Sequence, residues 1–156
     1  MNLDPQWILT DNTNKQLLNL SVIPEYAKYL AEGEVKAVLV AGTTGEEPAL
    51  SVKERKKPTE VWAEAVKTTK QHVRVQIGGA PFPDVLELAG HAEKIKVGSI
   101  LLLSELFFKP FDEKELISYL KAVSDVAPNT PLLYYHTPKQ TNIYIHMGQF
   151  FENVGN

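Results

Sequence analysis

Short aliphatic runs alternate along the chain with longer stretches in which apolar residues recur every three or four positions. The runs Ala37–Val40, Val73–Ile77, Ile100–Leu103 and Leu132–Tyr135 read as strands, with a weaker one at Trp7–Leu9. Their apolarity is continuous rather than alternating. That predicts burial on both faces, as in a parallel sheet covered by helices.

The stretches between them open on helix-start patterns. Ser51 with Glu54 forms a capping box that predicts a helix over Ser51–Lys70. Asp84 with Glu87, and Asp112 with Glu115, repeat the acceptor-then-acid spacing for helices over Asp84–Lys94 and Asp112–Ala127. Val22–Ala31 follows Ser21, with Pro24 tolerable in a first turn, and His146–Asn153 reads as the start of one more helix. Pro58 lies inside the Ser51–Lys70 helix, where it removes a hydrogen bond and costs about 3 kcal/mol unless the helix kinks.

Strand and helix in regular alternation mean successive right-handed βαβ units, hence an α/β fold in a single domain spanning residues 1–156. Two architectures fit. One is a complete, flavodoxin-like doubly wound sheet, in which Gly42–Gly45 would hold a phosphate or flavin. The other is about the first five βα units of a TIM (β/α)8 barrel, which in full needs about 250 residues. Periodicity alone favours the first, because it leaves no open edge.

Composition narrows the function. A net charge of -3 gives no general attraction to nucleic acid or to an anionic membrane. The densest basic run, Lys53–Lys57, is interrupted by Glu54 and reads as a solvated helix face. No apolar run approaches the ~20 residues of a membrane helix, and Met1–Asp11 carries no apolar leader core. The absence of cysteine removes disulfides, thiolate metal sites and a cysteine nucleophile, and makes a reducing cytoplasmic setting the expectation.

Candidate chemistry lies in the segments that follow the strands, because ligands bind at the carboxyl ends of parallel strands in both architectures. After Ala37–Val40 comes Ala41-Gly42-Thr43-Thr44-Gly45-Glu46. Gly42 and Gly45 would let the backbone turn tightly, and the hydroxyls of Thr43 and Thr44 with nearby amides would hold a carboxylate or phosphate. Glu46 would brace the loop by accepting backbone N–H groups. A plain strand-to-helix turn fits the same spacing. After Leu133 comes Tyr134-Tyr135-His136-Thr137-Pro138, where a tyrosine at a strand end can carry a proton or simply pack with its hydroxyl solvated.

Taken together these segments resemble the N-acetylneuraminate lyase and dihydrodipicolinate synthase family of pyruvate aldolases. Ala41–Glu46 is similar to its Gly-Thr-Thr-Gly-Glu loop, Leu50–Arg55 to its Leu-Ser-x-x-Glu-Arg helix start, and Tyr134–Pro138 with Thr141 to its Tyr-Tyr-His-x-Pro segment. Phe107–Phe111, with Lys109 and Pro110, resembles the Phe-Phe-x-Lys-Pro loop of animal sialic acid lyases, and His136 favours the same branch. The resemblance implies the partial barrel. It implies that Thr43 and Thr44, flanked by Gly42 and Gly45, bind the carboxylate of pyruvate, and that Tyr135 shuttles a proton. It also implies a small 2-oxo acid or sialic acid as substrate, no metal and no cofactor, and a tetramer as the family's usual assembly.

The family's Schiff base forms on a lysine at the end of a sixth strand, beyond the tyrosine strand and a helix. Here 21 residues follow Tyr135, and Lys139 is the sole lysine among them. No earlier lysine ends a buried strand. Glu47 stands where the family has glycine beside the carboxylate loop, Asn142 replaces the glycine after Thr141, and Lys96-Val97-Gly98-Ser99 replaces a Gly-Ala-Asp-Gly turn. The expectation is an incomplete or diverged lyase relative without turnover of its own, with a carboxylate-binding, subunit-associating half-barrel as the alternative.

Overall fold

The computed structural model of the protein describes residues 18–154. Four strands, β1 (Ala37–Val40), β2 (His72–Gln76), β3 (Ser99–Leu102) and β4 (Leu132–Tyr134), form one all-parallel sheet in the order β1-β2-β3-β4. The helices are α1 (Ile23–Glu32), α2 (Val52–Thr69), α3 (Phe82–Lys94), α4 (Glu113–Val126), the single turn α5 (Pro138–Thr141) and α6 (Met147–Asn153). Consecutive helices pack side by side, α1 on α2, α2 on α3, α3 on α4 and α4 on α6, so they line one face of the sheet. Each crossover returns one strand further in the same direction. A doubly wound sheet would reverse that order and carry helices on both faces, so the fold is the wall of a partial TIM barrel. The strand expected at Trp7–Leu9 lies outside the described residues.

The ladder register sorts the side chains. In-register neighbours share a face, which places Val40, Val75, Ile100 and Leu132 together, with Val38, Val73, Leu102 and Tyr134 on the same side. That side is the core: Val73, Val75, Ile77, Ile100 and Leu102 are buried against helix residues such as Ile23, Trp62, Val85, Leu116 and Val123. The opposite face departs from the expected burial on both sides. β2 begins at His72 rather than Val73 and ends at Gln76, so its second face presents His72, Arg74 and Gln76. Leu39 on the same face of β1 is half exposed. One side of this sheet is covered by helices, while no described helix packs on the other, where Leu39 is half exposed and Gln76 and Ser99 are nonetheless buried.

The helix starts follow their caps. Ser51 accepts from the Glu54 amide while the Glu54 carboxylate accepts from the Ser51 amide, completing the capping box, and Asp112 accepts from the Glu115 amide at 2.9 Å. α3 does not begin where the sequence pattern placed it. Its cap is Pro81, and Asp84 lies within the first turn, where its charge meets the positive end of the helix instead of capping it. α1 likewise starts at Ile23, after a 3-10 turn over Leu20–Val22, and carries Pro24 in its first turn. α2 runs through Pro58 without interruption. Its buried stripe is Arg55, Pro58, Thr59 and Trp62, at the i, i+3, i+4, i+7 spacing of one helix face. Thr59 Oγ1 donates back to the Arg55 carbonyl at 2.8 Å, and Trp62 meets Tyr26 of α1 edge-on at 6.0 Å.

Two polar contacts fasten helices to the sheet and its turns. The Arg55 guanidinium, only 2% exposed, donates through Nη2 to the Gln76 carbonyl at 3.0 Å and the Gly78 carbonyl at 3.1 Å, locking α2 to the carboxyl end of β2. At the other end of the sheet Glu93 of α3 accepts from Asn129 Nδ2 at 2.7 Å and from the Thr130 hydroxyl, pinning the turn that leads into β4. The bonds from Thr130 and then Asn129 hold the Glu93 carboxyl below its ordinary pKa.

Three outcomes follow. Arg55→Met strands two carbonyls without their donor and is expected to cost about 2–4 kcal/mol in urea unfolding; an unchanged midpoint would remove the clamp. Pro58→Ala restores a helical N–H and is expected to gain about 1–2 kcal/mol, net of lost packing; a loss of stability would show that the ring's packing outweighs the missing bond. The Glu93 value is lower folded than unfolded, so its stabilisation is present above the ordinary carboxylate range and disappears as pH falls through the depressed value. Glu93→Gln should therefore flatten the acid limb of stability at and below the ordinary carboxylate range, and parallel limbs in both proteins would contradict this.

Candidate functional site

The loops after β1 and β4 leave the same end of the sheet, because all strands are parallel. Among the described residues β1 and β4 are the two outer strands, three spacings or about 14 Å apart along the sheet. Gly42 is extended at φ -81° and is followed by a 3-10 turn, Thr43–Gly45, closed by bonds from the Gly45 amide to the Gly42 carbonyl at 2.7 Å and from the Glu46 amide to the Thr43 carbonyl at 3.1 Å. That leaves the Thr43 and Thr44 amides at the front of the turn, beside two exposed hydroxyls. Donors of this kind can receive a carboxylate.

The glycines work differently from the sequence expectation. The left-handed positions are taken by Ala41 at φ 56° and Glu46 at φ 52°, not by Gly42 or Gly45. A Cβ on Gly42 would lie 3.0 Å from Leu39 Cδ2, the tip of a half-exposed side chain with room to give, so the position favours glycine without requiring it. Holding alanine in the left-handed region costs of order 1 kcal/mol, so the turn is forced on the chain by its surroundings. Glu46 is exposed and does not brace the loop as expected. Its neighbour Glu47 is instead the buried one, 3% exposed in a second 3-10 turn, Glu47–Ala49.

Burial pushes the Glu47 carboxyl above its ordinary pKa, against the opposing pull of its own backbone amide and of Arg55. Burial also lowers the Arg55 value. Glu47 Oε2 and Arg55 Nε have no hydrogen-bond partner among the described residues. Both border a cavity of about 230 Å³ whose wall includes Pro48, Gly79 and Asp84. Gly79, at φ 71°, would bring a Cβ to 3.5 Å from Glu47 Oε1. The sequence marked Glu47 as a departure and Arg55 as part of a helix-start motif. That they share a buried space was not legible, because it depends on the β2-to-α3 turn folding under the β1 loop.

At the other edge the two tyrosines part company. Tyr134 pairs in register with Leu102 and so faces the helices, its ring 6.0 Å from Phe150 of α6. Its phenol is held above the ordinary pKa by burial and lies 3.2 Å from His136 Nδ1. Tyr135 points to the open face and is 53% exposed, while its amide donates to the Leu102 carbonyl at 2.9 Å and fixes it at the end of the ladder. Of the two, Tyr135 is the more exposed. His136 is tied to Tyr134 and is not free in the loop.

Among the described residues every lysine is exposed except Lys56, which is half-buried and ion-paired with Glu87. Lys139 lies exposed on α5, not at a strand end. Asn142 adopts the left-handed conformation at φ 57° that asparagine tolerates in place of glycine. No cluster of histidine and acidic residues is arranged to hold a metal ion among the described residues, and none of their helices is long and apolar enough to cross a membrane.

The chain is 37% identical to N-acetylneuraminate lyase from Gallus gallus over 94% of its own length and 48% of that protein. It is 35% identical to the Homo sapiens enzyme over 94% of its length and 46% of that protein. Among solved structures it is similar to Proteus mirabilis N-acetylneuraminate lyase at a TM-score of 0.84 and 32% identity, covering 92% of this chain and 48% of that one. The sialic acid aldolase of Aliivibrio salmonicida gives a TM-score of 0.85 at 30% identity, over 95% of this chain and 48% of that one. The chain thus spans about half the length of the relatives it matches. Residues 6–153 match the Dihydrodipicolinate synthetase family, and the chain belongs to it.

Proposed function

We propose that the chain carries the carboxylate-binding and proton-carrying parts of an N-acetylneuraminate lyase-type site, and that residues 1–156 by themselves do not cleave a carbon–carbon bond. The observation that carries this reading is the pairing of Thr43 and Thr44 with an open-face Tyr135 at one end of the sheet, without a buried lysine among the described residues. Thr43 and Thr44 would hold the carboxylate of a 2-oxo acid such as sialic acid or pyruvate through hydroxyl and amide donors. Gly42 and Gly45 shape the turn that aims them. The Tyr135 phenol would give and take the proton that moves as the aldol bond breaks.

The family's chemistry begins when a lysine amine adds to the ketone and water leaves, forming an imine whose protonated form accepts the electron pair of the breaking bond. An exposed lysine stays almost fully protonated at neutral pH and is a poor nucleophile. Among the described residues every lysine is exposed apart from the ion-paired Lys56. The chemistry needs no metal or cofactor, and the cysteine-free composition supports a cytoplasmic setting.

A second reading, a carboxylate-binding half-barrel that associates with other subunits, is favoured by the loop after β3. There Phe107, Phe108 and Phe111 are more than four-fifths exposed. Apolar side chains grouped in this way mark contact surfaces. A compact monomer in light scattering would count against it.

The main reading is tested by incubating the protein with pyruvate and borohydride and weighing the intact chain. No mass gain is expected, and a stable adduct on one lysine would overturn the reading. Pyruvate should still shift the Thr43 and Thr44 amide resonances, and Thr44→Val should weaken that binding about tenfold through loss of a charge-assisted bond. Equal affinity in both proteins would remove the carboxylate loop from the proposal.

A further inference from the structure

The cavity beside the β1 loop holds an imbalance of charge. Its charged lining is the Arg55 guanidinium from α2, the Asp84 carboxylate from the first turn of α3 and the Glu47 carboxyl from the 3-10 turn. The wall from Gly79 to Pro81 adds no charge, and Glu46, the other acid of this stretch, is exposed. Neither Glu47, Arg55 nor Asp84 belongs to an ion pair among the described residues. Arg55 directs Nη2 to the Gln76 and Gly78 carbonyls, away from either acid, and its Nε is unpartnered. Glu47 Oε2 is unpartnered as well, in a side chain almost wholly out of water. With both acids ionised the cavity carries two negative charges against one positive. With Glu47 protonated it is balanced, and Asp84 is the acid that keeps its charge, at the positive end of a helix.

We propose that the threonine turn binds a carboxylate together with a proton, and that the proton goes to Glu47. This rests on the carboxylate reading of Thr43 and Thr44, and adds which form of the protein binds. Thr44 and Glu47 lie three residues apart across two 3-10 turns that meet at Glu46, so their α-carbons are at most about 11 Å apart. An ionised Glu47 sets a fixed negative charge near the incoming anion, where burial limits screening. Protonation from solvent forms one O–H bond on Glu47, removes that charge and leaves Arg55 to balance Asp84. Burial already favours the neutral form of Glu47 above the ordinary carboxylate range. A bound anion opposes ionisation further, so by linkage the affinity is highest below the raised value and falls as pH climbs through it. Two unit charges at this separation correspond to a change on the order of tenfold at low ionic strength.

The test follows the glutamate carboxyl carbons of the 156-residue chain by NMR from about pH 4 to about pH 9, without and with saturating pyruvate. The Glu47 signal is identified by its loss in Glu47→Gln. Its midpoint is expected above the ordinary glutamate range in the free protein and higher again with pyruvate. Pyruvate affinity should fall about tenfold across the same range in the wild type and stay level in Glu47→Gln. A Glu47 midpoint unmoved by pyruvate, while the Thr43 and Thr44 amides shift, would overturn this proposal and leave the carboxylate loop standing. Pyruvate that shifts neither the amides nor Glu47 would remove both. A Glu47→Gln protein that keeps the wild-type pH dependence would also overturn the assignment. If that variant does not fold, Glu47→Ala replaces it in the affinity comparison, with the same two outcomes.

Discussion

A parallel strand can be followed by another parallel strand only if the chain travels back along the sheet, and here every return is made by a helix on the same side. That single constraint orders the rest of the molecule. It sends every strand's carboxyl end to one rim, so the threonine turn after β1 and the tyrosine after β4 share a rim despite lying far apart in sequence. It also commits one face of the sheet to aliphatic packing and leaves the other without a helix to cover it.

The rim is held from below by buried charge. Arg55 ties α2 to the Gln76 carbonyl that ends β2 and to the Gly78 carbonyl beyond it, and Glu47 is buried in the turn that follows the threonines with one oxygen unpaired among the described residues. The elements that shape the candidate carboxylate loop are therefore not the glycines of its motif alone. A left-handed alanine on one side and a left-handed glutamate on the other show where the surroundings set the backbone. Strain of this kind persists only when neighbouring contacts over-determine the loop.

Much of this was legible in the sequence. The strand cores and the caps at Ser51 and Asp112 are local properties, carried by aliphatic runs and by an acceptor three residues ahead of an acid. Asp84 fits the same local rule and yet is not a cap, because Pro81 already opens the helix three residues earlier. The choice of Tyr135 over Tyr134 rests on a family motif, and the register adds that the two rings point to opposite faces, as adjacent strand residues do. What the sequence hid was relational. A run such as His72–Ile77 reads as apolar until its alternate positions are assigned to an uncovered face, where histidine, arginine and glutamine carry the meaning. Glu46 and Glu47 are neighbours in the chain, and only the fold decides which of them is buried.

The same winding has a consequence for how the chain gains and loses order. Each strand pairs with the strands next to it in sequence, and the helices pack against their sequence neighbours in the same way. The contact map is that of a short repeat array bent into an arc. Stability in such an arrangement is passed from unit to unit rather than held in one central knot, so fraying starts at the two outer strands and spreads inward. The candidate ligand loops are attached to those outer strands. Any partner or ligand that joins the ends of the arc would therefore act first on the least protected part of the molecule, turning a graded, end-first loss of structure into a single cooperative one.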